Sequence, residues 1–91
     1  MNQLKINKDD TEALLLHAMR YEIANGQSVA LQIIKQNMSY ISYGTLKVME
    51  QDIRYMCKCY PVVYKAEWTE LASVINDWLS TIDLLQKEMK P

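Results

Sequence analysis

The sequence predicts an all-α protein, a compact bundle of about four helices with the first central and the last long and amphipathic. Three observations carry that expectation. Apolar residues recur at helical rather than alternating spacing along most of the chain. Only two glycines and two prolines occur, and they read as punctuation between helical segments. A strand is hard to place: Tyr60 to Tyr64 (YPVVY) is the sole candidate, and its proline weakens it. The 91 residues, 49% of them apolar, suit a single domain (1–91) with one modest core.

The first helix is expected from about Asp10 to Asn25. Asp9, Asp10 and Thr11 offer capping oxygens at its start, and Asn25-Gly26 supplies a stop. Leu14, Ala18 and Tyr21 form one apolar stripe, while Leu15, Leu16, Met19 and Ile23 form another. A helix apolar on two sides is expected to touch more than one neighbour. The second helix runs from about Val29 to Asn37 behind Ser28 as N-cap, with Val29, Ala30, Leu31, Ile33 and Ile34 on its apolar face. A short connection, Met38 to Ile41, follows.

Ser42 then caps a third helix, Tyr43 to Cys59, which Tyr60-Pro61 closes because a residue before proline avoids helical geometry. Its apolar face carries Leu46, Val48, Met49, Ile53, Tyr55, Met56 and Cys59. The fourth helix, Lys65 to Met89, has the clearest pattern. Trp68, Leu71, Ala72, Ile75, Trp78, Leu79, Ile82 and Leu85 fall on one arc, with polar residues on the other.

Charge and cysteine usage narrow the function classes. Ten basic against eleven acidic residues leave a net charge of −1 at pH 7. That balance disfavours a non-specific nucleic-acid binder and equally a DNA mimic. Cys57 and Cys59 would diverge by about 200° on a helix, so a disulfide between them is not expected. Free thiols fit a reducing cytoplasm. MNQLKINKDD is too polar for a signal peptide, and no apolar run approaches the roughly 20 residues of a membrane span.

No pattern names a reaction, so the chain is read as non-enzymatic, with no cofactor and no metal. His17 is the only histidine. A metal set would have to combine it with Cys57 and Cys59, whose spacing is not that of zinc ligands. Nothing places a cysteine or serine beside a base. His17 is expected at a helix–helix boundary, and Glu22 has no evident partner.

Arg20 and Asp52 are the informative charges. Asp52 falls inside the apolar arc of the third helix, where a solvated acid is out of place. Arg20 falls in a gap of the first helix and is expected to be at least partly buried, as is Glu22. The two are expected to pair across the first and third helices in a charge-assisted, bidentate contact, so that truncating either is costly. On the outward side of the third helix, Lys47, Gln51, Arg54 and Lys58 follow one face. With Tyr40 and Tyr43 near the preceding turn, they form the candidate interaction surface.

An apolar helix ending in Arg20-Tyr21, then Thr45 to Ile53 (TLKVMEQDI), then Glu67-Trp68 opening the last helix, form an order spanning most of the chain. It resembles that of small all-helical accessory proteins encoded by bacteriophages and mobile elements. The resemblance implies a protein that binds one host protein, such as an antiviral-defence (CRISPR) component, and inhibits it by occlusion in the bacterial cytoplasm. Two alternatives stand beside it. One is a helix-turn-helix regulator reading DNA with the third helix. The other is a sponge for a small nucleotide signal. Leu84, apolar but off the main arc, leaves room for a homodimer.

Overall fold

A computed structural model describes residues 7–89. It contains four α-helices: α1 (Lys8–Asn25), α2 (Val29–Gln36), α3 (Tyr43–Cys59) and α4 (Lys65–Met89). A 3-10 turn, Met38–Tyr40, joins α2 to α3, and the described residues contain no strand.

The helix ends show how the sequence terminates each element. α1 begins two residues earlier than Asp10 because Asn7, not Asp9, Asp10 or Thr11, is its N-cap. The Asn7 side-chain oxygen accepts the Asp10 amide at 2.9 Å, leaving Asp9 and Asp10 in the first turn. There their charges face the positive end of the helix dipole. At the other end Gly26 adopts the left-handed conformation (φ 71°, ψ 38°), and the amides of Gly26 and Gln27 both return to the Glu22 carbonyl.

Neither serine expected to cap does so with its side chain. Ser28 precedes α2 without a capping hydrogen bond; Glu22 accepts the Ala30 amide at 2.8 Å instead. Ser42 precedes α3, but its hydroxyl donates to Glu12 at 3.1 Å. Glu12 also accepts the Ser42 amide at 2.8 Å and the Thr45 hydroxyl at 2.6 Å. One carboxylate near each end of α1 therefore receives the start of another helix. These contacts give Glu22 its partner and explain why Glu12 is buried.

The same contacts set the register. Residues of α1 meet α3 residues 30 to 33 positions later, at Ser42, Asp52 and Thr45, so the two helices run parallel. α3 and α4 run antiparallel: Asn76 donates to Glu50 at 3.1 Å, and the Tyr43 hydroxyl donates to Asp83 at 3.2 Å. They share the most extensive helix–helix interface, while α1 packs on α3 and α2. α1 thus touches more than one neighbour, as expected. Its outward stripe, Leu14 and Tyr21, is 62% and 59% exposed, and only one side, with Met19 and Ile23, reaches the core.

The core joins those two residues to Ile34 of α2, Leu46, Met49 and Ile53 of α3, and Trp68 and Ile75 of α4. Trp68 is fully buried and its indole N–H has no hydrogen-bond partner, so it contributes through volume and apolar area. The body measures 47 × 44 × 19 Å. A thickness of about two packed helices leaves every helix with a solvent face. This is why several side chains from the expected apolar faces are exposed: Val29 and Ile33 of α2, Val48 and Tyr55 of α3, and Leu85 of α4. In α4, residues beyond Asp83 pass the start of α3, and Leu84, Leu85 and Met89 are exposed there.

Burial pushes the Glu12 carboxyl up, but the hydrogen bonds from Thr45 and Ser42 and the nearby Lys8 charge outweigh it. The net shift is below the ordinary value of 4.5. A carboxyl lowered on folding stabilises the fold above its unfolded pKa and loses that contribution as pH falls through the folded one. Glu12→Ala is expected to cost about 2 kcal/mol at pH 7, since the Ser42 amide and Thr45 hydroxyl lose their acceptor. Urea denaturation should show the gap between the wild type and Glu12→Gln narrowing as pH drops below 4.5. Gly26→Ala forces a Cβ into left-handed backbone and to 3.1 Å from Val63 Cγ2. A loss of about 1–2 kcal/mol by the same measurement is expected.

Candidate interaction surface

α3 is held at both edges and open between them. Along one edge Glu50 accepts from Arg54 (3.0 Å) and from Asn76 of α4, and Tyr43 reaches Asp83. Along the other, Asp52 meets Arg20 of α1. At about 100° per residue, the arc left between these edges carries Lys47, Gln51, Arg54 and Lys58. Beside them lie Val48, Tyr55 and Cys59, and all seven are exposed. Sequence reasoning had assigned Val48, Tyr55 and Cys59 to the buried side. The structure sets them as an apolar stripe next to the basic one.

Tyr55 extends the surface past the end of the helix. Its ring meets Tyr60 edge to face, with centroids 6.5 Å apart and an interplanar angle of 78°. Both rings stay more than half exposed. Tyr60 in turn borders a groove of about 410 Å3 formed with Ile23 and Ala24 of α1, Met56 of α3, and Pro61 and Val62 of the connection.

The other predicted residues divide. Tyr43 sits at the start of α3, where the hydrogen bond to Asp83, burial and the Asp83 charge raise its phenol pKa and keep it a donor. Tyr40 lies apart from the stripe. It is 75% exposed in the 3-10 turn and borders a separate cleft of about 330 Å3 with Leu15, Ile33 and Ile41.

Arg20 and Asp52 meet: Nε lies 2.7 Å and Nη2 2.5 Å from the single oxygen Oδ2. Two nitrogens on one oxygen is not the fork-to-fork bidentate arrangement expected. The pair is also not buried, with side chains 49% and 26% exposed, because it closes the surface seam between α1 and α3. Glu22 is half-buried by its bond to α2.

His17 is exposed on the outward side of α1 with Leu14 and Tyr21, not at a helix–helix boundary. The pattern had put it between two packed faces, and one of those faces is solvent. Cys57 is buried, Cys59 is exposed, and both are free thiols. Among the described residues no group of three or more His, Cys, Asp and Glu side chains is placed to hold a metal ion. No helix among them is long and apolar enough to cross a membrane.

Sequence reasoning missed Glu12 and the groove. Glu12 had a signal: it stands four and seven residues before Leu16 and Met19, on the stripe that enters the core. The groove had little signal, because its walls come from three segments far apart in the chain.

No protein-family model matches the sequence, and no curated protein and no solved structure shows significant similarity to it.

The exposure of the Arg20–Asp52 pair sets its worth. Arg20→Ala and Asp52→Ala are each expected to lower stability by about 1 kcal/mol or less, with a double-mutant coupling of about 0.5 kcal/mol that shrinks in high salt. A coupling of several kcal/mol in chemical denaturation would contradict this surface placement.

Proposed function

We propose that this is a small non-enzymatic protein of a phage or mobile element that binds a bacterial host protein and blocks it by steric occlusion. The host protein would be an antiviral-defence component such as a CRISPR effector. The observation that supports binding is the outer face of α3, where Lys47, Gln51, Arg54 and Lys58 run beside Val48 and Tyr55. Tyrosine and arginine are favoured at the centres of protein interfaces. A 47 × 44 Å face leaves ample room for a contact of standard size, about 800 Å2 per partner. The charged groups at the edges of this face are committed to structure, Arg54 to Glu50 and Asp52 to Arg20. The free thiols suit the reducing cytoplasm of a bacterial host.

A second reading draws on the same face. α2, the short turn and α3 follow one another as a helix-turn-helix would, with the basic stripe outward. The chain's net charge of −1 ranks it below the first.

The two separate experimentally. The tagged protein should retain one host protein from bacterial lysate. A variant carrying Lys47→Glu and Lys58→Glu should lose it by about tenfold or more while its thermal midpoint stays near wild type. Equal retention by the variant, or no specific protein retained, would defeat the reading. Gel retardation of DNA at low salt, weakening steeply as salt rises, would establish the regulator instead.

A further inference from the structure

We infer that the groove between the C-terminal end of α1 and the α3–α4 connection is an anchor pocket. Its occupant is one large apolar side chain, aromatic or long aliphatic, carried by an acidic segment of the partner protein. The inference rests on reading the outer face of α3 as a binding surface and names what that surface holds.

The lining selects the chemistry of the side chain, and the size admits a large one. The groove encloses about 410 Å3, near the small end of the ligand-pocket range of about 300–1,000 Å3. Ile23, Ala24, Met56, Pro61 and Val62 offer apolar walls, and the Tyr60 hydroxyl is the only polar side-chain group among the lining residues. Nothing there compensates a buried charge, so a charged tip would be penalised.

The walls are held in place before anything binds. Ile23 is a core residue, 2% exposed. The Tyr60 amide closes the last turn of α3 on the Met56 carbonyl at 2.9 Å, and Pro61 fixes the next backbone angle. A preformed pocket spares the ordering cost of binding.

Continuity and charge select the rest of the partner. Tyr60 lines the groove and packs on Tyr55, so the pocket opens at the end of the α3 surface rather than apart from it. On that surface Lys47 and Lys58 form no ion pair with the described residues, and no acid lies between the α3 edges. An acidic segment is the complement. A second copy is a poorer fit. Its acids lie on α4, five against two lysines, where Asp83 already accepts from Tyr43 of its own chain; a closed two-fold contact of α3 on α4 is the outcome that the self-association arm of the test detects.

The test uses the full chain, 15N-labelled, and three short capped peptides: Glu-Glu-Trp-Glu-Glu, Glu-Glu-Ala-Glu-Glu and Lys-Lys-Trp-Lys-Lys. The first should shift the amides of Ala24, Met56, Tyr60 and Val62 saturably. The other two should bind at least about tenfold more weakly. Ala24→Trp, an exposed position on the groove wall, should fill the pocket and abolish those shifts while the remaining spectrum stays folded. Shifts confined to other surfaces, equal binding of the alanine or lysine peptide, or insensitivity to Ala24→Trp would overturn the inference. Self-association that Ala24→Trp abolishes would overturn it in favour of a second copy. In the lysate experiment, a host protein retained by Ala24→Trp but lost by the α3 charge variant would remove the anchor pocket and leave the proposed binding face standing.

Discussion

The architecture depends on two carboxylates of α1, each closing the start of another helix. Glu12 accepts the Ser42 amide and the Ser42 and Thr45 hydroxyls, and Glu22 accepts the Ala30 amide. The first amides of a helix have no partner within it, and its N-terminus is electropositive. A glutamate is therefore well matched to either position. The arrangement also sets direction. Glu12 near the start of α1 receives the start of α3, and Arg20 farther along α1 meets Asp52 farther along α3, so the two helices run parallel. Glu22 near its end receives the start of α2. With eight residues, α2 is too short to be stable alone, so its cap and its packing must come from elsewhere in the chain. Glu12 remains an anion despite burial because its hydrogen bonds and the Lys8 charge outweigh desolvation.

Thinness is the second constraint. A chain of this size buries only part of its surface, and a body 19 Å thick presents most helices to water on one side. The apolar content exceeds what the core takes up. Leu14 and Tyr21 on α1, Tyr55 and Tyr60 around the end of α3, and Leu84, Leu85 and Met89 on α4 are all exposed. Scattered exposed apolar side chains need no special cause. Those around Tyr55 differ from the rest because they adjoin a basic stripe and a preformed groove.

What could be read in the sequence was what depends on neighbours along the chain. The bounds of α3 and α4 follow from Tyr60-Pro61 and from the period of the apolar residues. The Arg20–Asp52 contact was also legible, because a cation and an acid interrupt apolar stretches that must face each other. What depends on distant residues was not. The caps of α2 and α3 come from glutamates 8 and 30 or more positions earlier, so the adjacent serines were credited with their work. Two-sided apolarity in α1 foretold its two neighbours, α2 and α3, but not that Leu14 and Tyr21 would face solvent. The basic stripe was visible as a period, but its apolar companions were not, because an apolar residue on a helix is ordinarily assigned inward. The groove requires α1 and the α3–α4 connection to be in place.

α3 divides its duties by face. Leu46, Met49, Ile53 and Cys57 enter the core, Glu50 and Asp52 tie its edges to α4 and α1, and of the outer arc only Arg54, through Glu50, takes part in either. Substitutions on that outer arc leave packing and caps intact, so their effect on stability is small by the same physics that makes core changes large. The outer arc is therefore free to change with a partner, while the core and the two glutamates keep it in position. At Tyr60 the two roles meet within one residue. Its amide ends the helix, and its ring joins the exposed tyrosine pair to the groove. A side chain that can be altered while its backbone bond persists separates recognition from folding within one residue.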